Sequence, residues 1–209
     1  MKSVDALKKL PITGMNMVKV GDRYMLMSEN GRFAVLGAFR LVDVWNGKEI
    51  KTIADTEDLN SIDLVKIGIK DEDLAMLAYG SGKTIVTIFI DPYCKHCHKM
   101  IEQMGTMKDQ YTFRLVMAPV LGKDSVMASR KLVCEKDKEK ALKALLDQKF
   151  DGIIEGANCN LGPLQKTLLM AKFFGITGVP FTILPSTKTF AGETSDLKGL
   201  LENDAKNSR

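Results

Sequence analysis

Thr84-Ile85-Val86-Thr87-Ile88-Phe89-Ile90 runs directly into Asp91-Pro92-Tyr93-Cys94-Lys95-His96-Cys97-His98-Lys99. The first seven residues are β-branched or aromatic and almost wholly apolar, as a central strand buried on both faces should be. Pro92 suits a helix start, where its missing N–H is one of those left unpaired anyway. Cys94, Cys97, Met100, Ile101 and Met104 then recur at three- and four-residue spacings, which predicts one apolar helix face carrying both cysteines. Thr112 to Ala118 reads as the next strand. The result is a β-α-β unit, for which a right-handed parallel crossover is the default.

Downstream, residues 125 to 148 read as helical, with the mixed charge run Glu135-Lys136-Asp137-Lys138-Glu139-Lys140 as a solvated face. A further helix spans Pro163 to Phe174, opened by proline and stopped by Gly175. Thr182-Ile183-Leu184 and Lys188 to Phe190 form short strands around Pro185 and Ser186. Ser195 can cap a last helix that turns Leu197, Leu200 and Leu201 inward. The order from residue 84 is therefore β-α-β, helices, then β-β-α.

Upstream, the pattern changes. Met17-Val18-Lys19-Val20 meets Arg23-Tyr24-Met25-Leu26-Met27 across Gly21-Asp22, and Ser28-Glu29-Asn30-Gly31 and Asn46-Gly47 supply further turns. This antiparallel meander is too small to bury much surface alone, and its open edges favour pairing with another chain. Asp55-Thr56-Glu57-Asp58 is an acidic opening that suits a helix N-terminus, and Leu59, Ile62 and Ile69 follow at roughly helical spacing before and after Gly68. The expected organisation is an N-terminal β domain over residues 1–54, a linker helix over 55–71 and an α/β domain over 72–209.

Composition narrows the function. The 209 residues are 45% hydrophobic and 27% charged, an ordinary globular balance that excludes disorder. Thirty basic against 26 acidic residues leave a net charge of +4, spread along the chain, which calls for neither nucleic acid nor an anionic membrane. The apolar run at 84–90 is too short to span a bilayer. Met1-Lys2-Ser3-Val4-Asp5 lacks the apolar stretch of a signal peptide, so the protein is either cytosolic or already processed. The 12 methionines read mainly as core residues, with a soft apolar cleft for unfolded chains as the alternative.

Most of the chemical information lies in four cysteines, which allow three pairings. Cys94 and Cys97 lie one helical turn apart, close enough for a disulfide. Cys94 stands at the first turn, where free N–H groups and the helix dipole favour an anion, and Lys95 and His96 add positive charge. Cys97 lies deeper. The pair therefore divides into an attacking thiolate and a resolving thiol. Asp91 opposes the thiolate if it comes close, or caps the helix. Cys94-Lys95-His96-Cys97-His98 also fits the C-x-x-C-H pattern of c-type haem attachment, and a zinc site could recruit both cysteines and a histidine. The buried strand before the motif favours the redox reading. His96 and His98 are the sole histidines and crowd one helical turn.

The ordered set of features resembles the bacterial periplasmic disulfide isomerases of the DsbC/DsbG type, within the thioredoxin superfamily. The likeness rests on Asp91-x-x-Cys94-x-x-Cys97-His98-Lys99, on Val133-Cys134-Glu135-Lys136-Asp137-Lys138 with the later Cys159, and on Ile176-Thr177-Gly178-Val179-Pro180. It covers nearly the whole chain. It implies an α+β (α/β) thioredoxin-like fold with a helical insertion, preceded by a small β-rich, cystatin-like dimerisation domain and a helical linker. It also implies Cys94 as nucleophile, Cys97 as resolving cysteine, and Lys95 and His96 as tuners of the thiolate. Val179 and a cis Pro180 would bind substrate as an added strand, and Cys134 and Cys159 would form a structural disulfide. The resemblance calls for no metal and no cofactor beyond the redox-active Cys94–Cys97 pair. It implies a homodimer acting on misfolded disulfide-containing proteins in the periplasm, reduced by a membrane thiol reductant of the DsbD type, with any signal peptide already removed. Two departures stand out: Lys95-His96 replaces the usual Gly-Tyr, and Val179 replaces the usual Thr. A histidine at position 96 resembles the strongly oxidising dithiol oxidases. Oxidase, and a chaperone-like binding module with secondary redox function, are therefore the competing readings.

Overall fold

Alternating side chains and tight turns shape the first part of the chain. Strands β1 (Ala6–Lys9), β2 (Met15–Val20), β3 (Arg23–Ser28) and β4 (Ala34–Val35) form an antiparallel meander in sequence order. Val20 pairs with Arg23 across Gly21-Asp22, with Gly21 at a positive φ of 59° that glycine adopts without strain. A second hairpin joins β5 (Leu41–Asp43) to β6 (Lys48–Ile50), and the Asp43 carboxylate accepts the N–H groups of Trp45 and Asn46 in its turn. Leu10, Met17 and Ile50 are buried here, with Met15, Tyr24, Leu26 and Leu41 packed on them.

The computed structural model describes residues 4–12, 14–56, 59–156 and 158–207. The chain divides into two units, residues 1–67 and 68–209. The helix expected over 55–71 is not formed among the described residues. Asp55 lies in a single 3-10 turn (Ala54–Thr56), and its carboxylate accepts the N–H groups of Lys51 and Thr52. The residues that follow form turns and one isolated bridge, up to a second 3-10 turn at Asp71–Asp73. Ile62 and Leu64 are both buried, an i, i+2 spacing that suits extended chain rather than a helix face. Glu57 and Asp58, half of the expected acidic opening, lie outside the described residues.

In the second unit, β7 (Met76–Tyr79) leads to β8 (Thr84–Ile90), whose bounds are those read from the sequence. Helix α1 (Lys95–Met104) follows, then β9 (Tyr111–Met117), helices α2 (Lys123–Cys134), α3 (Lys138–Leu146) and α4 (Gly162–Phe173), strands β10 (Phe181–Ile183) and β11 (Thr189–Ala191), and α5 (Leu197–Asn207). The sheet order is β11-β10-β8-β9-β7. β8 and β9 pair in parallel from Thr84–Tyr111 to Ile90–Met117, while β7, β10 and β11 run antiparallel to their neighbours. Val86, Ile88, Phe89, Ile90, Phe113, Leu115 and Met117 are all fully buried, which is why β8 carries no alternating polar face.

The single helix read over 125–148 is two. Asp137 breaks it: its carboxylate accepts the N–H groups of Glu139 and Lys140 and starts α3. The mixed charge run thus crosses a helix junction, with Glu135 paired to Lys140 at 2.9 Å. At α5, Asp196 rather than Ser195 accepts an N–H of the first turn, from Gly199. Leu197 and Leu201 are buried as expected. The 71–75 segment is fastened within its own unit by Asp71–Arg114 and Asp73–Lys166 ion pairs, both at 2.7 Å, and by the Ala75 N–H donating to Thr167 Oγ1.

Candidate active site

The end of β8 and the start of α1 place two free cysteines side by side. Cys94 is the N-cap of α1, one residue before the helix proper, with extended backbone angles. Its Sγ accepts the N–H of Cys97 at 3.2 Å. That donor and the open end of α1 both face this sulfur. On its other side, the Cys94 thiol donates to the Val179 carbonyl at 3.6 Å. The Val179–Pro180 peptide is cis, as the resemblance implied. Cys97 is fully buried with Met100, Ile101 and Met104. Burial first, and then its hydrogen bond with Cys94, push the Cys97 thiol far up and keep it protonated.

Asp91 lies beneath this turn with no exposed surface. Its carboxylate accepts four hydrogen bonds, from the N–H groups of Tyr93, Val120 and Leu121 and from Ser125 Oγ, all at 2.8–2.9 Å. It fastens the β9–α2 loop to the turn between β8 and α1 that leads into Cys94. The side chains of Tyr93, Val120 and Leu121 remain exposed around it.

The two histidines turn to other partners. His96 Nδ1 lies 2.5 Å from Glu193 Oε2, and Lys99 Nζ lies 3.3 Å from the other oxygen of the same carboxylate. The His96 hydrogen bond, more than Lys99, lowers the Glu193 carboxyl below the usual range. His98 is buried and its Nε2 donates to the Pro92 carbonyl at 2.7 Å. A buried imidazole bonded to its own helix turn does not fit a haem ligand. Among the described residues, no three His, Cys, Asp or Glu side chains gather as a metal centre would need. Likewise, no described helix is long and apolar enough to cross a membrane.

Cys134 and Cys159 form a disulfide between the end of α2 and the loop before α4, with Cα atoms 5.3 Å apart. All eight residues singled out from the sequence are therefore accounted for. Six lie at the α1 N-terminus and its facing loop, and two form the separate disulfide. Sequence reasoning missed Glu193 and Gln103. Glu193 lies 97 positions from His96, and no spacing rule connects them. Asp91 was legible as a residue near the site, but its four donors come from three segments.

A dithiol at a helix N-terminus, facing a cis-proline loop across a mixed sheet, defines the class: a thiol–disulfide exchange enzyme whose redox group is its own cysteine pair. The chain belongs to the thioredoxin-like domain family, whose model matches residues 71–198, more than half of its length. It is similar to the thiol:disulfide interchange protein DsbC of Escherichia coli (strain K12), with 24% identity over 191 residues, covering 88% of this chain and 73% of that protein. Among solved structures, a disulfide interchange protein from Neisseria gonorrhoeae shares 26% identity with a TM-score of 0.57, covering 68% of this chain and 99% of that one. Proteus mirabilis ScsC in a compact conformation shares the fold at 17% identity and a TM-score of 0.57, covering 75% of this chain and 86% of that one.

Proposed function

We propose that this protein is a periplasmic disulfide isomerase that rearranges wrong disulfides in misfolded secreted proteins. The observation that carries the reading is the placement of Cys94 Sγ between the Cys97 N–H and the Val179 carbonyl. The thiolate of Cys94 attacks one sulfur of a client disulfide, forms a mixed disulfide and releases the other client sulfur as a thiolate, which takes up a proton. That client thiol, or another, then attacks the mixed disulfide and frees Cys94, so the client leaves with a different pairing and no net oxidation. Where no client thiol arrives, Cys97 loses its proton and attacks Cys94, leaving a Cys94–Cys97 disulfide and a reduced client. A membrane thiol reductant of the DsbD type would return that disulfide to the dithiol.

Lys95 and His96 tune the Cys94 thiolate in this reading. Val179 and Pro180 present backbone to an extended client segment, which adds as a strand beside the cysteine. Exposed Tyr93, Val120 and Leu121 offer apolar surface to such a segment. The N-terminal unit serves dimerisation. Its meander has open edges at β1 and β4, and Leu7, Phe33, Val35 and Leu36 are exposed near them. Two copies on one frame would raise the effective concentration of a client at the second site.

The test is rescue of a scrambled, fully oxidised client by the reduced enzyme. Recovery of native pairing, lost with Cys94→Ala, supports isomerase. Recovery only from a reduced client, and only with the enzyme supplied as its Cys94–Cys97 disulfide, which is reduced to the dithiol as the client disulfide forms, supports the second reading, dithiol oxidase, which the His96 imidazole beside Cys97 favours. Help to a cysteine-free client that survives Cys94→Ala would instead place binding first. Light scattering tests the dimer: the full chain should have twice the monomer mass, and a chain beginning at Asp71 should be monomeric.

A further inference from the structure

Helix α1 is sewn along its exposed side to the segment between β11 and α5. His96, Lys99 and Gln103 stand at i, i+3 and i+7 on that side. His96 and Lys99 both engage the Glu193 carboxylate. Gln103 Nε2 donates to the Thr194 carbonyl, and Gln103 Oε1 accepts the N–H of Leu197, both at 2.8 Å. The seam thus has neutral anchors at Gln103 and an ionic one at Glu193. The carboxylate at the cysteine end brings to α1 a charge that the Gln103 anchors lack.

Resting on the exchange reading above, we propose that Glu193 is a positioning residue for the dithiol. It draws the His96 ring to the β11–α5 side and cancels positive charge beside Cys94, so that the pair is less oxidising than Cys-Lys-His-Cys predicts. The charged groups around His96 are Lys95 and Lys99 on its own helix and Glu193 from the facing segment. An imidazole unopposed at this position would stabilise the Cys94 thiolate, hence the reduced form, and make the disulfide a stronger oxidant. A carboxylate 2.5 Å from the ring answers that charge with its opposite. Its side chain is only 26% exposed, so solvent screens it less than it screens the two cations. A unit charge on the facing segment, partly screened by solvent, shifts the thiol–disulfide equilibrium by about two- to fivefold.

The experiment is equilibration of the full-length protein with a glutathione buffer, read by alkylation and mass. In this exchange the dithiol gives two electrons and two protons to glutathione disulfide, forming the Cys94–Cys97 bond and two glutathione thiols. Glu193→Gln should lower the equilibrium constant for oxidation by about two- to fivefold, and Glu193→Asp should recover most of it. In a His96→Gln background the same Glu193→Gln change should lose at least half of its effect, which a merely structural seam would not produce. An unchanged constant in Glu193→Gln, or an equal shift in both backgrounds, overturns the assignment. Should Glu193→Gln not fold, the His96→Gln single variant still decides: losing the ring leaves the Glu193 carboxylate unopposed, so the constant for oxidation should rise by about two- to fivefold, and an unchanged or lower constant overturns the assignment. A pair that never equilibrates with glutathione overturns the exchange reading itself, and this inference with it.

Discussion

The molecule holds two cysteine pairs, and they differ in almost every physical respect. Cys94 and Cys97 lie in one helical turn, free, one at the helix end and one beneath it. Cys134 and Cys159 come from two separate segments, 25 residues apart, and are joined. A bond between near neighbours removes little freedom from the unfolded chain, so forming or breaking it costs little beyond the electrochemistry. Closing 25 residues removes far more. The same chemical element therefore serves turnover where its loop is short and sits at a helix N-terminus, and serves stability where its loop is long. The lesson is that placement, not cysteine content, separates a working dithiol from a staple.

The largest expected effect breaks the first pair. Cys94→Ala should reduce exchange in an insulin-reduction assay by on the order of a thousandfold or more, because the attacking atom is gone. Cys97→Ala should instead accumulate a mixed disulfide with the client, visible by mass. If Cys97→Ala reduces the client as fast as the native protein, the division of roles is wrong.

Next comes the support beneath that pair. Asp91→Ala leaves four donors without their acceptor, the N–H groups of Tyr93, Val120 and Leu121 and the Ser125 hydroxyl, which should cost about 3 kcal/mol or more in urea unfolding. Asp91→Asn, which keeps two acceptor lone pairs, should lose less. Equal losses would mean that the charge, not the acceptor count, matters.

Breaking the second pair sharpens the contrast. With a separation of 25 residues, Cys134→Ala/Cys159→Ala should lose about 3.5 kcal/mol of stability. That corresponds to a melting temperature lower by roughly 10 °C. Below that temperature, exchange through Cys94 should stay within about twofold of the native rate. Loss of exchange in the folded double variant would tie the two pairs together.

The smallest effect lies on α4, which begins three residues past Cys159. Lys166 first, through its hydrogen bond, holds the Asp73 carboxyl below the ordinary range. A depressed folded value means that the pair stabilises above the carboxyl's unfolded value and loses that contribution as the pH falls through the lower folded one. The window lies below about pH 4. Asp73→Asn should therefore flatten the acid limb of urea midpoints measured from pH 7 to pH 2.5. An unchanged limb would show the pair to be fully screened.

Much of the catalytic unit was legible because its signals are local. Strand β8 is seven apolar or β-branched residues bounded by Lys83 and Asp91, and its ends were read without error. The face of α1 that carries Cys97, Met100, Ile101 and Met104 followed from 3.6-residue periodicity alone. The linker was misread for the same reason that α1 was read well. Leu59, Ile62 and Ile69 mimic a helical period, but the Asp55 carboxylate is taken by Lys51 and Thr52 behind it and cannot serve a helix ahead. The long helix over 125–148 failed at Asp137. Inside a charge run this aspartate looks like one more solvated residue, yet its short side chain reaches two N–H groups and starts a new helix.

Sequence by itself determined the β-α-β unit, the cysteine turn at its helix start and the apolar faces that pack the core. Each of these depends on residues within one turn or one strand of each other, where backbone geometry converts spacing directly into position. Only the tertiary structure decided which distant groups meet there. It brings the Val179 carbonyl to Cys94 across 85 positions, Glu193 to His96 across 97, and the donors of 120, 121 and 125 to Asp91. Those meetings depend on how the sheet orders its strands and closes its loops. Buried or partly buried polar groups must then find partners among whatever the fold sets beside them, because water no longer reaches them.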